Sequence, residues 1–204
     1  MQEPVLMPFQ NSEFNGDHFI SAEFIKLRDR FNISTVIETG TCLGYTTLWL
    51  AKNFDKVYTI ELNKEYCELA RAKFLQYPNI TSIHGNSEDV LRHLRIDGNA
   101  MFFLDAHWGN NCPLLGELHA IQRMGIKPVI AIHDFFTGDN DLGYDAYKGQ
   151  PFNIDWISKS LDLIYPPSIA TMQHGSVRVR DGFKFHYNTE ATGARRGIIY
   201  IYPI

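Results

Sequence analysis

Short apolar runs alternate with stretches of helical spacing along most of the chain. His18 to Phe31 carries apolar residues at 19, 20, 24, 25, 27 and 31, which is one face of a helix. Five strand-length runs follow: Thr35 to Thr39, Lys56 to Glu61, 79–84, Ala100 to Leu104 and Pro128 to Ile132. The fourth is nearly all apolar, as a strand covered on both faces must be. Between them the spacing predicts helices from Thr46 to Asn53, from an Asn63 cap to the stop at Pro78, around Val90, Leu91 and Leu94 behind a Ser87 cap, and from Pro113 to Met124. Residues 135–150, rich in Gly and Asp, read as a long loop of the kind that serves as a lid. Residues 153–165 read as a helix. Phe183 to Tyr187 and Gly197 to Tyr202 alternate as a hairpin joined by Asn188 to Arg196. The order, β-α five times and then a hairpin, predicts an α/β doubly wound, mostly parallel seven-stranded sheet with an antiparallel C-terminal hairpin. No repeat or linker interrupts it. Residues 1–204 are therefore read as one domain, with 1–33 expected to cover the site.

Composition narrows the class. At 45% hydrophobic and 21% charged residues, 204 positions suffice for a full core. A net charge of −4 offers no general affinity for nucleic acid or an acidic membrane face. Arg178, Arg180, Arg195 and Arg196 are the only local concentration of basic residues and read as solvated hairpin surface. Cys42, Cys67 and Cys112 have no metal-like spacing, and their odd number suggests a reducing compartment. No signal peptide or membrane span is expected, so the predicted location is cytoplasmic.

The chemistry gathers where ligands bind in open α/β sheets, outside the carboxyl ends of the strands. Those ends hold Glu38 and Gly40, Glu61, Gly85-Asn86-Ser87-Glu88, Asp105-Ala106-His107-Trp108 and His133-Asp134-Phe135. After the first strand, Gly40 and Gly44 bracket a tight turn into a helix, which lets backbone approach a ligand. Glu61, about 20 residues on, is placed to accept hydrogen bonds from ribose hydroxyls. A dinucleotide site would show G-x-G-x-x-G. Here Cys42 takes the middle glycine's place, and Glu38 adds a negative charge that repels phosphate but suits a sulfonium or an ammonium group.

With these residues the chain resembles class I S-adenosylmethionine-dependent methyltransferases. Ile37-Glu38-Thr39-Gly40-Thr41, with Gly44-Tyr45-Thr46, resembles the first motif of the catechol-type, metal-dependent O-methyltransferases. The resemblance covers roughly residues 34–135 and implies the Rossmann-like methyltransferase fold. It implies that Glu38, Gly40, Thr41, Gly44, Tyr45, Glu61, Asn86, Ser87, Glu88, Asp105 and His107 contact S-adenosylmethionine. Tyr45 would lie on its methionine part and the 85–89 segment on its adenine. Ser87 also fits a helix cap, and Glu88 and Asp89 a helix dipole. Phe102 to Trp108 resembles the family segment whose Asp ligates a divalent metal and whose His-Trp pair lies against the adenosine. The match then loosens. Where that family ends its fifth strand in Asp-Asn, this chain has Asp134-Phe135, and Gly109 and Asn110 stand where its lysine base would be. The macrocin-type or cephalosporin-type branch, with an Asp-x-x-His-like element after strand four, fits better.

Methyl transfer is an in-line displacement from a sulfonium, and an alcohol acceptor must lose its proton to a base or have its pKa lowered by a metal. Asp105, Asp134 and His133 are the candidate metal ligands. Oxygen donors favour Mg²⁺ or Ca²⁺, while a histidine shifts the preference toward Mn²⁺, Fe²⁺ or Zn²⁺. His107 and His133 are the candidate bases, with Asp105 beside them. Glu117 reads as surface, or as a partner of His107. The expected function is O-methylation of a hydroxyl on a small molecule or saccharide, with S-adenosylmethionine and with or without Mg²⁺ or Mn²⁺. No nucleic-acid or membrane partner is expected, and the oligomeric state, homodimer included, stays open. Two alternatives stand beside it: a metal-dependent hydroxylase-like enzyme on the same fold, and a catalytically silent cofactor-binding module.

Overall fold

The structure is a computed structural model that describes residues 11–107, 111–173, 176–180 and 182–204, with the side chains of 168–180 excepted. Its elements follow the predicted order. A 3₁₀ turn, Glu13–Gly16, leads into α1 (His18–Phe31). Then come β1 (Thr35–Thr39), α2 (Tyr45–Asn53), β2 (Lys56–Glu61), α3 (Lys64–Phe74), β3 (Ile80–His84), α4 (Ser87–His93), β4 (Ala100–Leu104), α5 (Leu114–Arg123) and β5 (Val129–His133). Two short strands, β6 (Ala146–Tyr147) and β7 (Gln150–Pro151), precede α6 (Ile154–Ile164). A hairpin of β8 (Ser168–Gln173) and β9 (Ser176–Arg180) follows, then β10 (Phe183–Tyr187) and β11 (Ile198–Pro203).

Seven strands form one sheet in the order β10-β11-β5-β4-β1-β2-β3. β11 runs antiparallel to both β5 and β10, and the remaining pairings are parallel. The expected fold class is therefore observed. The order reverses between β1 and β4, which opens a crevice at their carboxyl ends. All five residues of β1, β4 and β5 are buried, as their apolar runs require. Alternate residues feed two cores. Val36, Met101, Phe103 and Tyr200 pack with α1 and α2 through Phe24, Leu27 and Leu50. Ile37, Phe102, Leu104 and Ile199 pack with α4, α5 and α6 through Leu91, Leu118, Ile121 and Leu161.

Local chemistry sets the boundaries. Asp17 accepts from Phe19 N at the start of α1, Asn63 from Glu65 N and Tyr66 N at α3, and Asn153 from Trp156 N at α6. The cap of α4 is Asn86, which accepts from Glu88 N at 3.0 Å. Ser87 is the first helical residue, one place further than expected. The 135–150 loop is pinned down along its length. Asp145 N bonds Asp134 O, Gly143 N bonds Arg195 O, Gly197 N bonds Gly143 O, and Phe136 N bonds Phe152 O. The start of the chain reaches the same edge: Phe14 N donates to Thr46 Oγ1 at the head of α2, and Ala194 N donates to Asn15 O. Among the described residues no helix is long and apolar enough to cross a membrane.

Candidate active site

The first half of the crevice is the turn between β1 and α2. Gly40 has φ +87°, and a Cβ there would lie 2.4 Å from Asp105 O. Its freedom lets the turn pass against the backbone after β4, so the close approach is to protein. Gly44, at φ +79°, would put a Cβ 2.7 Å from the Phe74 ring and so fixes α2 against α3. Gly40 N and Thr41 N both donate to Ile60 O, which lays the turn over the end of β2. Glu61 is clasped there: Cys42 N donates to Oε2 and Asn63 N to Oε1, each at 2.8 Å. Two backbone donors thus fix the carboxylate while leaving acceptor sites for a diol. Next to it in the chain, Leu62 is 52% exposed.

Glu38 lies deeper. Its Oε2 accepts from Thr47 Oγ1 and, at 2.6 Å, from Thr59 Oγ1, and Thr41 Oγ1 lies 2.5 Å from Thr59 Oγ1. Burial pushes its carboxyl up to about 8, against the two threonine hydrogen bonds, and the charges of Asp105 and Glu61 add to the rise. Tyr45 faces Lys73, whose Nζ sits 4.2 Å from the ring centroid. Ser87 is buried, and Glu88 turns back to pair with Arg92.

The second half lies at the ends of β4 and β5. His133 Nδ1 is 3.1 Å from Asp105 Oδ1 and 3.3 Å from Asp134 Oδ1, and His107 Nε2 is 3.2 Å from Asp134 Oδ2. Both imidazoles are buried, with His107 set edge-on against Phe152. Burial opposes their charge, but the carboxylates outweigh it: the Asp134 bond and the charge of Asp105 raise His107, and Asp134 and Asp105 raise His133 further. Asp134 answers in the other direction. Burial alone would raise it, yet His133 and His107 hold it well below the usual carboxylate range. Its backbone is left-handed, φ +56°, which turns it off the strand end toward both histidines.

Arg196 and Asp145 complete this half without having been assigned to it from sequence. Arg196, read as hairpin surface, is half-buried: its Nε contacts Asp134 Oδ1 and its Nη2 contacts Asp145 Oδ1. Glu117, read as surface or as a partner of His107, is 1% exposed and feels the charge of His107. Its Oε1 has no hydrogen-bond partner among the described residues, and burial raises its pKa against the lowering influence of Ser87, Thr39 and His107. The signal for Glu117 was available, since Leu114, Glu117, Leu118 and Ile121 share the buried face of α5. Trp108, Phe9 and His174, and the side chains of Arg178 and Arg180, lie outside the described residues.

Two overlapping donor sets result. Asp105, His133 and Asp134 each offer a ligand atom within 4.8 Å of the others, as do His107, Asp134 and Asp145. Carboxylate oxygens with an imidazole nitrogen make a mixed set that suits a first-row divalent ion better than an all-oxygen shell would. The Glu61 clasp likewise suits the ribose end of a nucleoside cofactor.

No family model and no curated protein matches the chain. Solved structures do match its fold. Cofactor-bound Rv0187 from MTB aligns with a TM-score of 0.61 at 17% identity, over 91% of this chain and 80% of its own. The O-methyltransferase TomG of Streptomyces achromogenes, in complex with SAM, aligns at 0.59 and 16%, over 89% and 78%. An rRNA methylase from Streptococcus thermophilus aligns at 0.52 and 15%, over 91% and 95%. At these identities the likeness establishes the fold alone, a Rossmann-like methyltransferase fold.

Proposed function

We propose that the chain is an S-adenosylmethionine-dependent O-methyltransferase whose acceptor is a hydroxyl of a small molecule or saccharide. The observation that carries this reading is the juxtaposition across β1 and β4. A carboxylate clasped for a ribose, Glu61, lies on one side of the switch point, and an Asp-His-His-Asp cluster able to handle a proton lies on the other. TomG, which carries SAM on the same fold, supports the choice of cofactor. Glu61 would hold the ribose hydroxyls, with Gly40, Thr41, Gly44 and Tyr45 walling the methionine end. Asn86, Ser87 and Glu88 would flank the base. Glu38, deep under the turn, would ionise to balance the positive sulfonium.

Bound S-adenosylmethionine would supply the methyl group, its carbon–sulfur bond breaking with the electron pair left on sulfur as the acceptor oxygen bonds the methyl carbon. The acceptor's proton would go to the carboxylate of Asp105, braced by His133, because its side chain, 24% exposed, is the most open of the four. His107, braced by Asp134, lines the adenosine side. Asp105, His133 and Asp134 are the residues that would hold a divalent ion, which when bound would lower the pKa of the acceptor hydroxyl. A net charge of −4 gives no general affinity for a polyanion, which supports a small molecule or glycan over RNA. The reading is tested by calorimetric titration with S-adenosylmethionine, first in EDTA and then with Mn²⁺ or Mg²⁺. Micromolar binding is expected, with a metal-dependent heat. The absence of binding in both conditions would refute it.

A further inference from the structure

Three carboxylates, Asp105, Asp134 and Asp145, face two imidazoles and one guanidinium in the second half of the site. Arg196 is the fixed positive charge among them, since a guanidinium does not deprotonate in proteins. It occupies contested positions. Asp134 Oδ1, which meets Arg196 Nε, also lies 3.3 Å from His133 Nδ1, and Asp134 belongs to the donor set shared with Asp105. Asp145, which meets Arg196 Nη2, belongs to the second donor set with His107 and Asp134. Each arm of the fork therefore rests on a carboxylate that an ion would need.

The surroundings leave the side chain a way out. Gly143 lies against the guanidinium so closely that a Cβ there would be 2.8 Å from Nη1. The Arg196 side chain is 28% exposed. The backbone around it is secured independently, by the Gly143–Arg195 and Gly197–Gly143 hydrogen bonds and by Asp145 N to Asp134 O. The guanidinium can leave while loop, strand and Asp145 stay where they are.

We infer that Arg196 is the resting counter-ion of the site: its guanidinium holds the carboxylates that a divalent ion takes, so metal loading displaces it from Asp134 and its removal tightens metal binding. The inference rests on the metal reading given above. It adds that occupancy is set by competition between a tethered cation and a free one. Like charges at such range oppose each other strongly in a half-buried site, so neutralising residue 196 should tighten binding by about tenfold or more.

The test uses the whole protein, stripped with EDTA and titrated with Mn²⁺, with free ion read by electron paramagnetic resonance. Arg196→Met is expected to bind about tenfold more tightly than the parent, and Arg196→Lys to stay near it. Equal or weaker binding by Arg196→Met, with the parent binding Mn²⁺, overturns the inference and leaves the metal reading intact. No binding by the parent or by either variant overturns both. A second measurement needs no neutral variant. In the parent protein the Nε–H resonance of Arg196, assigned by its loss in Arg196→Lys, should be shifted and protected from solvent exchange without metal. On saturation with diamagnetic Zn²⁺ it should move to the position of a free arginine. If it keeps its shift and protection at saturation, the inference fails.

Discussion

The two halves of the crevice are built in opposite ways. At the ends of β1 and β2, each acid is held by neutral groups: Glu61 by two backbone amides and Glu38 by two threonine hydroxyls. At the ends of β4 and β5, each charge is held by another charge, and Asp134 touches His107, His133 and Arg196 together. Neutral donors fix a carboxylate and leave its charge available to a ligand. Opposite charges cancel it, so any newcomer must break a pair. The first half thus reads as a preformed receptor and the second as a network that must be opened to work.

Substitutions probe this contrast directly. The largest effect is expected at Asp134, whose loss strands two imidazoles and a guanidinium. Asp134→Ala should destabilise the fold by about 3 kcal/mol in urea unfolding. Asp134→Asn, which tolerates the left-handed backbone, should cost less. If the halves are independent, S-adenosylmethionine affinity in Asp134→Asn stays within about threefold of the parent, and a larger change would show that they are coupled. Next comes Glu61→Ala, expected to weaken S-adenosylmethionine about 100-fold by calorimetry, in line with two hydrogen bonds to a charged group.

A smaller, pH-dependent effect is expected at Glu38. Its carboxyl is raised in the fold to about 8 from 4.5, so the stability it contributes is complete below 4.5 and is lost as pH rises toward 8. Glu38→Gln should be similar to the parent near the acid end of that window and more stable above it, in melts across the range. A cationic cofactor favours the ionised form, so parental affinity should rise through pH 8 while that of Glu38→Gln stays flat. The smallest effect belongs to Glu117→Gln. A carboxyl whose pKa burial has raised is mimicked well by an amide, so unfolding should shift by less than about 1 kcal/mol. A loss well beyond that would mean that Glu117 is ionised and part of the charged network.

The contrast also decided what could be read from sequence. β1, β2 and β4 begin and end where their apolar runs do, and the glycine turn and Glu61 follow within one β-α-β unit, so local spacing carried them. The β8–β9 hairpin was missed because two prolines precede it and its alternation is brief. Asp145 and Arg196 were missed for a different reason. Nothing near Asp145 marks it, and Arg196 stands out only as part of a basic concentration that reads as surface. They meet Asp134 only because β11 returns beside β5, which places Gly197 against Phe135. Asp105, His107, His133 and Asp134 were visible as strand-end residues, but their pairing was not, because it depends on the rotation that a left-handed Asp134 supplies.

The position of Arg196 also bears on how the protein is made. A chain synthesised from its N-terminus completes the glycine turn and the Glu61 clasp once β1 to β4 have emerged, with β5 to β11 still to come. Asp134 and Asp145 then wait, with only the two imidazoles as counter-charge, through α6 and the three strands β8 to β10 for the guanidinium that settles them. During that interval a divalent ion from the surroundings is the natural substitute. Nascent chains made in metal-replete and metal-depleted translation extracts should therefore differ in protease resistance before residue 196 emerges, and converge after it.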